Sequence, residues 1–259
     1  MITGRSLALR LTLPCGVLAL WELLYRTGVM PANVLSAPSL IAIRMWAMLL
    51  NGSLLANASH SLFLVLASFG LACLIGIPIG VAMGANQSLE SLLYPMIELV
   101  RPIPPLALLP LALVWLGIGV SEKLFILLVG TFPPIVINTF HGVRATDRVL
   151  VRVARSMGAR NSDILWKVLV PTALPSMFIG MRVASGFAFT VIVAAELVAT
   201  DRGLGYLLSI GWRTFDLETI FVAIFAISLL SYLMDWVLRA VRSAVIKWED
   251  DEDMPTAVL

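Results

Sequence analysis

Five charged side chains set inside long apolar runs are the residues best placed to do chemistry in this sequence: Glu98, Arg101, Arg182, Glu196 and Asp235. An ionised group at the centre of a bilayer costs about 2.5 to 3.5 kcal/mol on insertion scales, so each must be paired, hydrated or put to use. Glu98 and Arg101 stand three apart on one helical face and can neutralise each other. They precede Pro102, Pro104 and Pro105, which interrupt a helix and leave carbonyls without donors. Broken backbone at membrane depth is tolerated only inside protein or beside water, so this break lines a solute route or its gate, or else holds a kink near the surface. Arg101 and Arg182 are the groups able to attract an anion. Glu196 would repel one and is read as bracing a helix, or gating with Arg202 or Arg182. Asp235 pairs with Arg239 four residues on, or snorkels.

Other chemistry is thin. His60 and His141 are isolated and lack an H-E-x-x-H context, so they read as packed or interfacial side chains. Cys15 and Cys73 lie far apart in apolar runs and read as small core residues. Ser185-Gly186 with His141 invites comparison with an intramembrane serine protease, but no G-x-S-x-G sequence accompanies it, and Gly186 is read as a close-packing residue between helices. No G-x-x-x-x-G-K-[ST] phosphate loop occurs, so the polypeptide is not itself a P-loop ATPase.

The elements that must position these residues follow from composition. Of 259 residues 59% are hydrophobic and 13% charged, with mean hydropathy +0.95. Soluble domains run near a quarter charged, so a membrane protein is indicated. Net charge is only +2, without a basic patch interleaved with aromatics, which argues against nucleic-acid binding. Six apolar segments, roughly 7–24, 61–84, 104–117, 123–140, 177–199 and 220–241, predict an all-α polytopic protein of about six transmembrane helices. The first is read as an uncleaved span, because no small-residue cleavage pattern follows it. Basic residues divide unevenly between alternate connections. Arg5, Arg10, Arg144, Arg148, Arg152, Arg155, Arg160, Lys167, Arg239, Arg242 and Lys247 fall on one side, against Arg26, Arg44, Lys123, Arg202 and Arg213 on the other. Both termini are therefore expected in the cytoplasm. Segments 39–50 and 203–212 are too short to span and read as surface helices on the outer side. The acidic run at 249–253 reads as a solvated tail.

The connection 145–175 has its own pattern. Val149, Leu150, Val153 and Met157 recur at helical spacing and predict a short amphipathic helix with an arginine-rich outer face. Gly158 suits its C-terminus, Asn161 or Ser162 can cap a second helix, and Ile164, Leu165, Val168 and Leu169 form a stripe stopped by Pro171. The expectation is a helix-turn-helix knob.

The stretch from Arg152 to Pro175, RVARSMGARNSDILWKVLVPTALP, resembles the "EAA" loop of permease subunits of bacterial binding-protein-dependent ABC importers. Gly158 takes the place of that pattern's glycine, Ala154 that of its second alanine, and Val168, Val170 and Pro171 that of its I-x-L-P. Arg152 and Val153 stand where it has Glu and the first Ala. RPIPPLALLPLALVWLGIG, FPPIVINTFHGV and VAAELVATDRGLGYL are also similar to that family, in the branch importing nitrate, bicarbonate, taurine and other sulfonates, and thiamine precursors.

The resemblance implies a type I importer permease fold, with 1–259 a single permease domain, spans within 61–241, a cytoplasmic coupling loop at 145–171 and a tail at 249–259. It implies a non-catalytic subunit in the bacterial inner membrane. The coupling residues would be Asp147, Val149, Arg152, Ala154, Arg155, Gly158, Ala159, Asp163 and Pro171, and the path or gate would draw on Glu98, Arg101, Pro102, Arg182 and Glu196. Implied partners are membrane lipid, a second permease copy, two cytoplasmic P-loop ATPases that hold ATP and magnesium, and an external solute-binding protein docking near 202–212. No cofactor is expected on this chain. Taurine or another sulfonate is the expected solute, with nitrate, bicarbonate and thiamine precursors as alternatives. An ion-coupled secondary transporter is the competing class and would work without an ATPase.

Overall fold

The computed structural model describes residues 4–29, 35–198 and 200–248, with side chains from Thr12 onward. Ala199, the expected end of the fifth span, and the acidic tail from Glu249 lie outside the described residues, as do the side chains of Arg5 and Arg10. Among the described residues all regular structure is helical. In order it comprises α1 (Gly4–Arg26), α2 (Pro38–Leu50), α3 (Ser53–Ala85), α4 (Gln87–Val100), a 3-10 turn (Pro105–Leu108), α5 (Leu109–Leu116), α6 (Val120–Arg144), α7 (Arg148–Ser156), α8 (Asn161–Ile164), a π-turn (Leu165–Leu169), α9 (Val170–Val198), α10 (Leu204–Thr214) and α11 (Leu217–Val245).

Four described helices are long and apolar enough to cross a bilayer: α3, α6, the continuous run Asn161–Val198, and α11. Among the described residues the expected count of six is not reached. The predicted span 104–117 is only a 3-10 turn followed by the eight-residue α5, too short for a hydrocarbon layer of about 30 Å. It reaches that length only together with α4, from which it turns by 83°. The prolines from Pro102 to Pro105 impose that turn, since each removes a backbone donor. The segment 7–24 lies within α1, whose first side chains are not described. The short segments at 39–50 and 203–212 are helices, α2 and α10.

The contacts divide the chain into two compact units, Met1–Ser61 with Glu196–Ser228, and Leu62–Ala195 with Leu229–Leu259. The second is organised around α6, which carries buried residues along its whole length. Glycines four apart, Gly76, Gly80 and Gly84, let α3 lie against it. A Cβ at Gly80 would stand 2.6 Å from Thr139 Cβ and 2.7 Å from the Val136 carbonyl oxygen. Gly142 meets Ser176 and Ala173 of α9 in the same way, and Gly180 of α9 meets Pro134 and Asn138. Close backbone approach of this kind supplies the van der Waals contact that holds helices together where lipid is as apolar as the side chains. Gly186 is the exception to the prediction. It is exposed, with nothing near where its Cβ would be, so it packs against no helix among the described residues.

The first unit is tied by polar contacts at the helix ends. The Glu22 carboxylate accepts from Ser39 N–H and Oγ and pairs with Arg26 at 2.7 Å. Arg44 reaches Asp216 at 2.7 Å and Thr219 Oγ1 at 3.1 Å. Burial pushes the Asp216 carboxyl up, but hydrogen bonds from Thr219 and the Arg44 guanidinium outweigh it and leave the group below its ordinary value. Cys15 of α1 is exposed and not a core residue.

Candidate functional site

Two places bring the expected residues together, and both lie in the second unit. The first is the knob at 145–175. The Asp147 side chain accepts from Val149 N–H at 2.7 Å and caps α7. Gly158, at φ +80°, reverses the chain after it, and the Ala159 N–H bonds back to the Ala154 carbonyl at 3.0 Å. Only glycine adopts that left-handed conformation without strain. The second helix starts differently from the expectation. Asn161 and Ser162 do not cap it; the Arg160 N–H donates to Asp163 at 3.3 Å, and Asp163 pairs with Lys167 at 2.7 Å.

Nor does Pro171 stop the helix. The Val170 N–H bonds five residues back to the Leu165 carbonyl, so the wider π-turn sits where Pro171 can donate nothing, and the chain continues into α9.

The apolar stripe of α7 is not covered as expected, while Arg148, Arg152 and Arg155 are exposed as expected. Val149, Leu150, Val153 and Met157 are exposed, Met157 by 82%. Arg148, Val151 and Arg155 instead turn towards a pocket of about 690 Å³. At 100° per residue these two sets lie on opposite faces. Among soluble helices the apolar stripe faces the core. Here it faces outward and is uncovered, and Trp166 of the π-turn is likewise 67% exposed.

The second place is the proline break. Arg101, Ile103 and Pro105 line a pocket of about 230 Å³ with Gly130, Pro133, Pro134 and Asn138 of α6 and Val183 and Phe187 of α9. Pro133 and Pro134 lack the N–H groups that would normally bond the carbonyls of Val129 and Gly130, which line the same pocket. A polar backbone stretch therefore opens here between apolar helices. Glu98 and Arg101 are a loose, accessible pair at 3.5 Å.

Arg182 and Glu196 are occupied elsewhere. Arg182 donates to Asp235 at 2.7 and 3.4 Å, and Asp235 also meets Arg239 at 3.1 Å. Buried Glu196, in the first unit, accepts from Ser61 Oγ at 2.7 and 2.8 Å and from Gly205 N–H at 2.9 Å. Ser61 Oγ in turn accepts from Leu204 N–H. The carboxylate thus closes the start of α10, where unpaired amides favour negative charge. A side chain at Gly203, φ +110°, would overlap it.

Sequence reasoning passed over two features. Lys123, counted among outer-side basic residues, is buried and pairs with buried Glu122 at 2.8 Å, also donating to the Gly119 carbonyl. Adjacent opposite charges at the head of an apolar run were the available signal. The glycine stripe was visible in the spacing of Gly76, Gly80 and Gly84.

This arrangement is that of a multi-pass, all-helical membrane protein with a polar break among its spans. The chain belongs to the family described as the binding-protein-dependent transport system inner membrane component, which matches residues 76–247. It is 39% identical over 230 residues to a probable ABC transporter permease protein of Brucella abortus (strain 2308), covering 89% of this chain and 91% of the relative. It is 34% identical over 202 residues to the taurine transport system permease protein of Escherichia coli (strain K12), covering 78% and 74%. Among solved structures, a chain of the inward-facing MetNI methionine ABC transporter matches with TM-score 0.64 at 23% identity, covering 76% of this chain and 97% of that one, which shows a shared fold. The chain is therefore a non-catalytic permease subunit of an ABC importer, and ATP hydrolysis resides in a separate partner.

Proposed function

We propose that the chain forms the transmembrane path of an importer for a small anionic solute, taurine or another sulfonate, driven by two cytoplasmic ATPases that hold ATP and magnesium. The observation carrying the coupling reading is the uncovered apolar face of α7. An exposed stripe of Val149, Leu150, Val153 and Met157 is stable only if something covers it, and a groove on an ATPase suits it. ATPase closure would then move the knob as a rigid body and, through the unbroken run Asn161–Val198, the helix lining the proline-break pocket. Asp147 caps α7, while Gly158 and Ala159 form the turn. Arg152, Ala154, Asp163 and Pro171 complete the coupling loop. The solute assignment is supported by likeness to the taurine permease; nitrate, bicarbonate and thiamine precursors are the alternatives.

In this reading the whole chain acts as one permease domain. The bent pair α4–α5 crosses once and α1 supplies a further crossing. That makes six, with both termini and the arginine-rich knob in the cytoplasm of a cell with an inner membrane. A second copy pairs across the exposed α9 face formed by Val183, Gly186, Phe187 and Thr190, beside the break at Glu98, Arg101 and Pro102. A solute-binding protein delivers solute near 202–212. Arg101 attracts the anion; Arg182 and Glu196 act as braces. The test is reconstitution of the permease with its ATPase and binding protein in vesicles. ATP-dependent uptake of labelled taurine supports the assignment. Uptake of nitrate, bicarbonate or a thiamine precursor alone transfers it to that solute, and uptake driven by an ion gradient without ATPase overturns the importer mechanism.

A further inference from the structure

The pocket behind α7 holds more positive charge than its surroundings neutralise. Arg144, Arg148 and Arg155 line it, with Thr146, Asn161 and Ser162 adding polar groups. Arg144 is met by Glu90 at 2.8 Å. Arg148 and Arg155 have no carboxylate within ion-pair distance among the described residues. Thr146 and Thr172 share a hydrogen bond at 2.7 Å beside it. The inner wall is apolar, formed by Val143, Ile164, Leu165 and Leu169, with the glycine-and-alanine end of α3 at Gly84 and Ala85. An arginine-rich rim over an apolar wall, at the ends of two spanning helices, has the chemistry of an amphiphilic anion's site.

We propose that this pocket binds a phosphate-bearing anion, with the headgroup of an anionic phospholipid as the source the apolar wall favours. The guanidiniums of Arg148 and Arg155 hold the phosphate oxygens, Asn161 and Ser162 donate from the opposite wall, and the first acyl carbons lie along Leu165 and Leu169. Because Arg148 and Arg155 point away from the exposed stripe of α7, the site stays open when that stripe is covered. A bound lipid would thereby set the tilt of α7 against α6. The placement rests on the cytoplasmic assignment of the knob, but the test uses the permease alone, so its failure is separate from any failure of ATPase coupling.

The full chain is purified in nanodiscs of phosphatidylcholine with graded phosphatidylglycerol, and retained lipid is read by native mass spectrometry. The double change R148A/R155A is expected to weaken phosphatidylglycerol retention about 30-fold, about fivefold for each juxtamembrane arginine. A control, R152A/R160A, removes equal charge outside the pocket and is expected to leave retention unchanged. In a second arm inorganic phosphate is titrated into delipidated chain. Saturable phosphate binding abolished by R148A/R155A, without lipid retention, keeps the anion site and assigns a soluble source. Equal behaviour of the wild type and R148A/R155A in both arms, or equal loss in the control, overturns the site. R148Q/R155Q, which keeps a polar side chain and the first part of the stem without the charge, guards against a packing artefact and is expected to behave like the alanine pair.

Discussion

Helices α6 and α7 are separated by only Ala145 to Asp147, yet they obey opposite rules. Along α6 buried side chains are covered by the chain's own helices, and glycines on α3 and α9 close the gaps. Along α7 Val149, Leu150, Val153 and Met157 look outward, while Arg148, Val151 and Arg155 line the pocket behind it. The difference separates what the subunit completes by itself from what it leaves to a partner. The α6 face is a folding core, and the α7 face, on the proposed coupling reading, is half of an interface.

The largest effect is expected where the self-completed core is overfilled. Gly80→Leu would drive a side chain into Thr139 and the Val136 carbonyl; overpacking costs about 1 to 3 kcal/mol or more. Loss of monodisperse protein on gel filtration checks this, and a well-folded Gly80→Leu permease would show that α3 does not depend on the close approach.

Charging the other helix should do the reverse. Val153→Asp is expected to leave the melting temperature unchanged, while ATP-driven uptake falls at least tenfold, roughly the cost of one interface hot spot. Equal loss of stability and uptake would erase the distinction between the helices.

Arg182→Ala leaves the Asp235 carboxylate short of its two-pronged donor. It is expected to cost about 1 to 3 kcal/mol, less than a fully buried pair. Arg182→Ala with Asp235→Ala should recover part of that loss, as thermal unfolding of both variants would show. No recovery would return Arg182 to the list of solute-binding groups.

Gly158→Ala places a side chain at φ +80°, a strain of about 1 kcal/mol. It should weaken uptake less than Val153→Asp does. The smallest effect concerns Asp216. Its carboxyl lies below its ordinary value, so the stabilisation it brings is complete above the ordinary carboxylate range and disappears as pH falls through the lowered value. Asp216→Asn should flatten that acid limb of a pH-stability profile.

Much of this was legible in the residues. Long uncharged runs announced α3, α6, α9 and α11, and the spacing in 145–175 announced a helix, a glycine turn and a second helix. Side-chain direction was not legible. Periodicity identifies a stripe, but which way the stripe faces depends on what covers it, and for α7 that surface is absent from its own sequence. The length of 104–117 misled in another way, because apolar content does not reveal an 83° turn at the three closely spaced prolines Pro102, Pro104 and Pro105. Long-range pairing was equally hidden. Nothing local shows that Arg182 meets Asp235, or that Glu196 closes α10 through Ser61 and Gly205.

The most direct test of the uncovered helix is to extract the tagged permease gently from its native membrane and identify what accompanies it, as wild type and as Val153→Asp. The account predicts a P-loop ATPase with the wild type, absent from the variant, while both permeases melt at the same temperature. An ATPase retained equally by Val153→Asp, or absent from both samples of well-folded chain, would contradict it.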